Sequence, residues 1–464
     1  METINIQGQI LTAVSGQAYT DALRYNSDLS TLPAKYIVQP ITYSDIPPVV
    51  LFATSQSPPL EIAVKGGGAH SSTWASSDGG IVIDLSKLNK VTVAADKQTV
   101  TVEGGARWGD VYEVCEKEGV DVVGGPFWFV GVGGFTLGGG YGSLSGDHGL
   151  AIDNLLDATV VLSDGRIVKT NVDQEPDLFW AIRGGGGQFG IVVEMTFKAY
   201  PPAGPFTVGV IAYPGKEIVK VLKIIQEWKV TQTPRERLTI SFSRPAPHFN
   251  PSVTILPWVA GDHDGTRSKV ILAPFRAGDV KPVFEKIVTA PGMLAVSHGA
   301  DAGLAAAPRR LAIRGTIFSN FFSELILGVW EKWVNFTETN ENVRSTTVLW
   351  DLASSEKIVE VGPTETALRT RTPHNWMAIQ GRSTTDASVE AVKAFNLSTV
   401  SYVRETNAAL SGNDLGWFLN MCQGDERAED VFGQNLPRLR KVKAKYDPKQ
   451  IWSKGFVIEP DHSL

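Results

Sequence analysis

Apolar and polar residues alternate with a period of two through "KQTVTVEGGA" (97–106) and "RLTISFSR" (237–244), placing Val100 with Val102, and Leu238 with Ile240 and Phe242, on single faces. Such alternation predicts half-buried strands. "LEIAVK" and "GGIVIDLSKL" are shorter β-branched runs of the same kind, and "DATVVLSDGRIVKT" folds two of them around "SDG", a hairpin pattern. The period lengthens in "WGDVYEVCEKEG" (108–119), where Trp108, Val111, Tyr112 and Cys115 fall on one helical face, with Asp110 early and Gly119 as a stop. A further helix is expected near Tyr43–Ser55. "AYPPAGP" (199–205) marks a change of texture. Beyond it "IVKVLKIIQEW" and "GVWEKWVNF" are amphipathic helices, and "SVTILPWVAG", "TVLWDLA" and "NWMAIQG" are strands. Near Gly416 the chain turns again, through "WFLNMCQG", into a basic helix, "LRKVKAKYDPKQIW", stopped by Pro448. Its run Arg438, Arg440, Lys441, Lys443 and Lys445 reads as a solvated face.

Length and charge narrow the class. A chain of 464 residues exceeds one ordinary core and predicts two or three domains. With 43% hydrophobic and 20% charged residues it is globular, and a net charge of −6 gives no reason to expect nucleic acid or an anionic membrane as partner. No apolar run is long enough to span a bilayer, and the opening stretch lacks the pattern of a secretory leader. Two cysteines, Cys115 and Cys422, without ligand spacing predict neither a disulfide framework nor a metal site. The expectation is a cytoplasmic protein.

Glycine is the unusual feature, with 46 residues gathered in clusters. "VKGGGAHSSTW" (64–74) is the first; "GGPFWFVGVGGFTLGGGYG" (124–142) has nine glycines in nineteen residues; the third is Gly184–Gly187. A single cluster reads best as tight turns. Three within one part of the chain predict backbone amides converging on a long anionic ligand, for which a dinucleotide is a fit. The Rossmann order of strand, GxGxxG, helix and acid is missing, as is a P-loop.

"VKGGGAHSS", "GVGGFTLGGGYGSLSGDHGLAIDNLL", "VVLSDGRIV" and "PDLFWAIRGGGGQFGIV" resemble the FAD-binding domain of the vanillyl-alcohol oxidase and p-cresol methylhydroxylase superfamily, over roughly residues 30–200. The tail "FGQNLPRLRKVKAKYDPKQIW" resembles the C-terminal module of its berberine bridge enzyme-like branch. The resemblance implies an α+β fold: a two-lobed FAD-binding domain from residues 1–203 and 421–464, and a substrate domain, 204–420, with an antiparallel sheet covered by helices. It implies that Gly66, Gly67, Gly68, Ala69, His70 and Ser71 wrap the FAD pyrophosphate, with His70 as a single covalent anchor on the flavin 8α position. The family's text runs from glycines directly to histidine; here Ala69 intervenes, so either the loop bulges by one residue or Ala69 takes the anchor position. Phe127 stands where many relatives have a second anchoring cysteine, which excludes a second bond. Gly131, Gly133, Gly134, Thr136, Gly138, Tyr141 and Gly142 are implied to line the FAD. Asp153, Asn154, Gly190, Ile191 and Val192 are implied at its adenosine or pyrophosphate half, and Asn420 and Asn435 near the flavin.

The implied chemistry is hydride transfer from a substrate C–H bond to flavin N5, with a protein base for any accompanying proton and dioxygen as acceptor. Many relatives have a tyrosine base in "YxN"; this chain reads "FLN", with Phe418. "LWDLA" and "TPHNW" resemble the region where berberine bridge enzymes carry an acid, implying Asp351 as the carboxylate with His374 beside it. Tyr141 and His148 are further candidates. Two functions remain: an FAD-dependent oxidase or dehydrogenase for a small hydrophobic or aromatic specialised metabolite, and a redox-neutral isomerase or cyclase that keeps FAD as scaffold.

Overall fold

A computed structural model describes residues 4–278 and 280–463. Three sheets organise the chain. The first contains β1 (Gln9–Leu11), β2 (Tyr36–Gln39), β3 (Ile62–Lys65) and β4 (Ile81–Asp84) in the order β1-β2-β4-β3, with parallel pairing of β4 to both β2 and β3. The helix Ile46–Ser55 packs on it through Ile46, Val49, Val50 and Ala53.

The second sheet contains β5 (Val91–Val93), β6 (Thr99–Glu103), β7 (Leu155–Val161), β8 (Ile167–Thr170) and β9 (Ile191–Lys198), ordered β5-β6-β9-β7-β8 and antiparallel throughout. Alternation explains its burial: Val100 and Val102 are fully buried, and Thr99, Thr101 and Glu103 less so. The helix Trp108–Glu118 buries the four residues its periodicity predicted and ends on Gly119 in the left-handed region.

The third sheet contains β10 (Phe206–Pro214), β11 (Glu236–Ser243), β12 (Ser252–Ala260), β13 (Phe284–Ala290), β14 (Arg310–Phe318), β15 (Thr347–Leu352) and β16 (Asn375–Ser383), ordered β13-β10-β12-β11-β15-β16-β14. All its pairs are antiparallel. One face, built from Leu238, Ile240, Phe242, Trp350, Met377 and Ile379, packs against the helices Ile218–Thr231, Ser323–Thr339 and Val389–Ser411. Period two then fixes what the other face carries. Thr239, Asp351 and Trp376 lie side by side across β11, β15 and β16. This is the mixed α+β architecture expected.

Among the elements that the sequence pattern did not reveal are β14, β10 and the helix Val389–Ser411. In β14 two arginines and a glycine interrupt the alternation, and Arg314 pairs with Asp425 and Glu426, far along the chain. β10 lies directly after the proline-rich boundary. The helix Val389–Ser411 is rich in Asn, Ser, Thr and Val, weak helix formers that tertiary packing overrides; its buried Asn396 donates to the Ala312 carbonyl at 2.9 Å. The basic tail helix, Leu436–Tyr446, corrects one expectation. Lys443 is not on a solvated face: it is fully buried, with Nζ donating to the Gln188 and Trp452 carbonyls at 2.7 and 2.9 Å and to Asp447 at 2.7 Å.

Candidate functional site

The open face of the third sheet meets the second glycine cluster. Tyr141 projects from that cluster, and its hydroxyl lies 2.5 Å from His374 Nε2. On the other side of the ring, His374 Nδ1 lies 2.6 Å from the Thr372 carbonyl. A carbonyl only accepts, so Nδ1 carries the proton and Nε2 accepts from the Tyr141 hydroxyl. Both side chains are buried. Burial pushes the Tyr141 phenol up and holds the His374 imidazole down at about 4, with the Arg371 guanidinium adding to the latter, so His374 is neutral near pH 7. Phe418 meets the Tyr141 ring edge-on at 4.7 Å, and Trp376 lies 5.5 Å from Phe418. Ile317, Leu368 and Leu415 complete this apolar group.

Asp351 stands beside it on β15, 1% exposed. Arg237 grips a single carboxylate oxygen, Oδ2, through Nε at 2.7 Å and Nη2 at 2.5 Å, and Thr239 Oγ1 donates to the same oxygen at 3.0 Å. The other oxygen, Oδ1, is buried without a partner. The Arg237 guanidinium also lies 5.9 Å from the Trp376 ring and reaches toward the Gly142 carbonyl. Thus Tyr141, His374 and Asp351, three residues chosen for chemistry, come together between the sheet and the glycine loop. His148 stands apart: it stacks on Tyr200 at 3.6 Å.

The glycine clusters also converge. Gly67 and Gly131 pass backbone against backbone, so closely that a Cβ on either would overlap the other's amide nitrogen. Gly104, in a pair the sequence reading did not single out, sits at the junction. Its carbonyl would lie 3.4 Å from a Cβ on Gly66 or on Gly133, and its own Cα faces the Val192 carbonyl where β9 begins at Ile191, just after Gly190. Asn420 ties the second loop by donating to the Gly134 and Phe135 carbonyls at 3.1 and 3.0 Å, and it packs on Gly138. Ser71 accepts from the Ile313 amide of β14 at 2.8 Å, which joins the first loop to the third sheet. Ala69 is held by its carbonyl, which accepts from Asn26.

Other expected cofactor residues are occupied internally. Asp153 forms a two-point ion pair with Arg371 at 2.7 and 2.8 Å, and Asn154 bonds the His148 and Leu150 carbonyls and Tyr200. Asn435 donates to the Pro363 carbonyl at 2.9 Å and so secures the loop bearing Leu368. Phe127 stacks on Phe129 with ring centres 5.8 Å apart. Its neighbour Trp128 reaches across to Asp301, donating from Nε1 at 2.8 Å.

Comparison with known proteins gives the family. The family model described as an FAD binding domain matches residues 34–171, and that described as berberine and berberine like matches residues 413–454. FAD-linked oxidoreductase pgmH of Aspergillus terreus is 30% identical, with 98% of this chain and 94% of the relative aligned. The chain belongs to the berberine bridge enzyme-like FAD-linked oxidoreductases. Among solved structures, 6-hydroxy-D-nicotine oxidase from Arthrobacter nicotinovorans superposes with a TM-score of 0.84 at 24% identity, covering 99% of this chain and 100% of the other. Glucooligosaccharide oxidase from Acremonium strictum, described with a 6-S-cysteinyl, 8α-N1-histidyl FAD, gives a TM-score of 0.80 at 23% identity, covering 98% and 97%. The protein is therefore an enzyme, and FAD is its cofactor.

The residues of this FAD-linked oxidoreductase fit that cofactor. A cleft of about 510 Å³ beside the first loop is lined by Gly67, Tyr25, Asn26 and Phe129 and by the guanidinium-bearing Arg24, Arg107 and Arg309, a donor set suited to a diphosphate. Thr136 Oγ1 and His70 Nε2 are buried with no partner. The amides of Gly133 and Gly134 lie in the first turn of the helix Val132–Leu137, where no helical carbonyl can take them. A Cβ on Gly134 or Gly187 would meet open space. Residues that the sequence reading missed are Arg237, Thr239, Arg371, Trp376 and Lys229. Lys229 is half-buried at the end of the sheet, donates to Gln232 and Asn375 at 2.6 and 3.0 Å, and is pushed down to about 8 by desolvation. Its setting, "IIQEWKVT", reads as an ordinary helix surface and gave no signal.

Among the described residues no helix is long and apolar enough to cross a membrane, and no cluster of metal ligands occurs.

Proposed function

We propose that the enzyme takes a hydride from a C–H bond of a small hydrophobic or aromatic specialised metabolite, with dioxygen as electron acceptor. The observation that supports this reading is the apolar group around Tyr141. Tyr141, Trp376 and Phe418 contribute rings, Ile317, Leu368 and Leu415 contribute aliphatic surface, and Asp351 Oδ1 and Trp417 Nε1 are buried polar atoms without partners beside them. A flat apolar molecule with one hydroxyl or amine matches that surface. A sugar, with a hydroxyl on nearly every carbon, would leave most of them unpaired, each at a cost of about 1–3 kcal/mol.

In this reading residues 1–203 and 421–464 hold the cofactor and residues 204–420 the substrate. Bound FAD supplies the hydride acceptor. The glycine loops and Thr136 hold it, and His70 anchors it, while Phe127 denies a second bond. Tyr141 accepts the hydrogen of the substrate's hydroxyl or amine, and Asp351 Oδ1, whose partner oxygen is held by Arg237, accepts the second N–H of an amine substrate. Tyr141 takes the substrate's proton as its own hydroxyl proton passes to His374 Nε2. A departing hydride makes the substrate O–H or N–H strongly acidic, so a weakly basic imidazole is a sufficient acceptor.

The test is anaerobic mixing of the yellow holoenzyme with benzylic alcohols and benzylic amines. Bleaching of the visible flavin band, followed by hydrogen peroxide on admitting air, is expected. Conversion of a probe with neither would refute the reading and select the redox-neutral isomerase or cyclase, for which the missing hydroxyl at Phe418 speaks.

A further inference from the structure

We infer that His70 carries the flavin on Nε2, not on Nδ1. The inference rests on the reading above that His70 is the anchor, and it departs from the 8α-N1-histidyl linkage, an Nδ1 linkage, described for glucooligosaccharide oxidase.

A neutral imidazole has one in-plane lone pair, on the nitrogen that carries no proton. That of His70 Nδ1 is engaged: the Ser72 amide donates to it at 3.1 Å, with the Ser72 hydroxyl 2.6 Å away. The ring lies flat on Trp74, 4.7 Å between centres and 8° from parallel. An alkyl group on Nδ1 would have to expel Ser72. One on Nε2 leaves the Ser72 bond intact, because a neutral imidazole alkylated at one nitrogen keeps its acceptor at the other. The observed setting of Nδ1 is the one such a product requires.

Nε2 is the buried nitrogen without a partner. The Asn420 and Cys422 carbonyls lie close to the ring, and the Asn420 side chain grips the second glycine loop. The nitrogen therefore lies where the first loop meets the segment that holds the second. Burial pushes His70 down to about 4, so the ring is neutral near pH 7, with Nδ1 accepting from Ser72 and its one proton on Nε2. The inserted Ala69 explains the altered geometry. Gly68 turns through the left-handed region at φ 64°, Asn26 fixes the Gly68 and Ala69 carbonyls at 2.9 and 3.1 Å, and Ser30 fixes the His70 carbonyl at 3.0 Å. The lengthened loop is thus pinned at three successive carbonyls, and the imidazole reaches inward with its farther nitrogen.

The bond balances as follows. Nε2 gives up its proton, the 8α methyl gives up one hydrogen as a proton, and the new C–N bond leaves two electrons on the flavin. Dioxygen takes those electrons and both protons as hydrogen peroxide.

Wild-type holoenzyme labelled with ¹⁵N-histidine tests this. Trypsin should release a yellow peptide, residues 66–87, between cleavages after Lys65 and Lys87. In its ¹H–¹⁵N long-range spectrum the 8α methylene should correlate with the nitrogen that couples to both ring protons, which is Nε2. Correlation with the nitrogen that couples to one ring proton, Nδ1, overturns the inference and leaves His70 as anchor. A colourless peptide with flavin in the acid supernatant overturns the anchor reading and this inference with it.

Discussion

Lowering the pH from 8 to 5 should leave His374 uncharged in the folded enzyme. An imidazole in the unfolded chain protonates near 6.5, whereas burial holds His374 at about 4. The unfolded chain therefore binds a proton that the native protein refuses. The stability contributed is fully present above about 6.5 and is lost as the pH falls toward about 4. A gap of about 2.5 units is worth roughly 3.4 kcal/mol in full, and about 2 kcal/mol of it is already lost at pH 5. Histidine ring resonances followed over this range, with denaturant midpoints in the same buffers, provide the assay. The His374 signal should stay still, and His374→Gln should remove about 2 kcal/mol of the loss at pH 5. A His374 midpoint near 6.5, or a variant as acid-sensitive as wild type, would show that the Tyr141–His374 pair is hydrated and not sealed.

Three further outcomes are expected. Tyr141→Phe should slow anaerobic flavin reduction by about 10²–10⁴-fold with little change in KM, measured by stopped flow; a loss below tenfold would remove Tyr141 from the proton path. Arg237→Met should lower stability by about 3–5 kcal/mol, because it leaves the buried Asp351 carboxylate without its cation, whereas Arg237→Met with Asp351→Leu should recover most of that loss. Equal losses in the single and double variants would mean that the pair is not sequestered from water. Gly131→Ala should force the first and second loops apart and lower the ratio of flavin to protein absorbance; full FAD content would refute the close backbone approach at Gly67.

The cofactor side was largely legible because its signals are local. A glycine loop, a helix stop or an alternating strand is written in a dozen neighbouring residues, and the convergence of the loops around Gly67, Gly131 and Val192 follows from them. Lys443 shows where local reading fails. Nothing in "LRKVKAKY" distinguishes the one lysine that two carbonyls and Asp447 draw into the core. The long helix Val389–Ser411 fails for the complementary reason, since its local propensity is poor and its stability comes from the sheet it covers.

By itself the sequence determined the α+β class, the FAD loops, the family and the residues worth watching at 70, 127, 141, 351, 374 and 418. Only the tertiary structure decided how those residues act on one another. Tyr141 and His374 are 233 residues apart, and Arg237 and Asp351 are 114 apart. The first contact depends on docking a loop against a sheet, and the second on the β11–β15 register that sets Asp351 beside Thr239. A slip of one residue in that register would turn Asp351 into the helix-covered face and leave the pocket without a carboxylate. Which nitrogen of His70 is free was likewise beyond reach of the chain alone, because it depends on a ring held between Trp74 and the Ser72 amide.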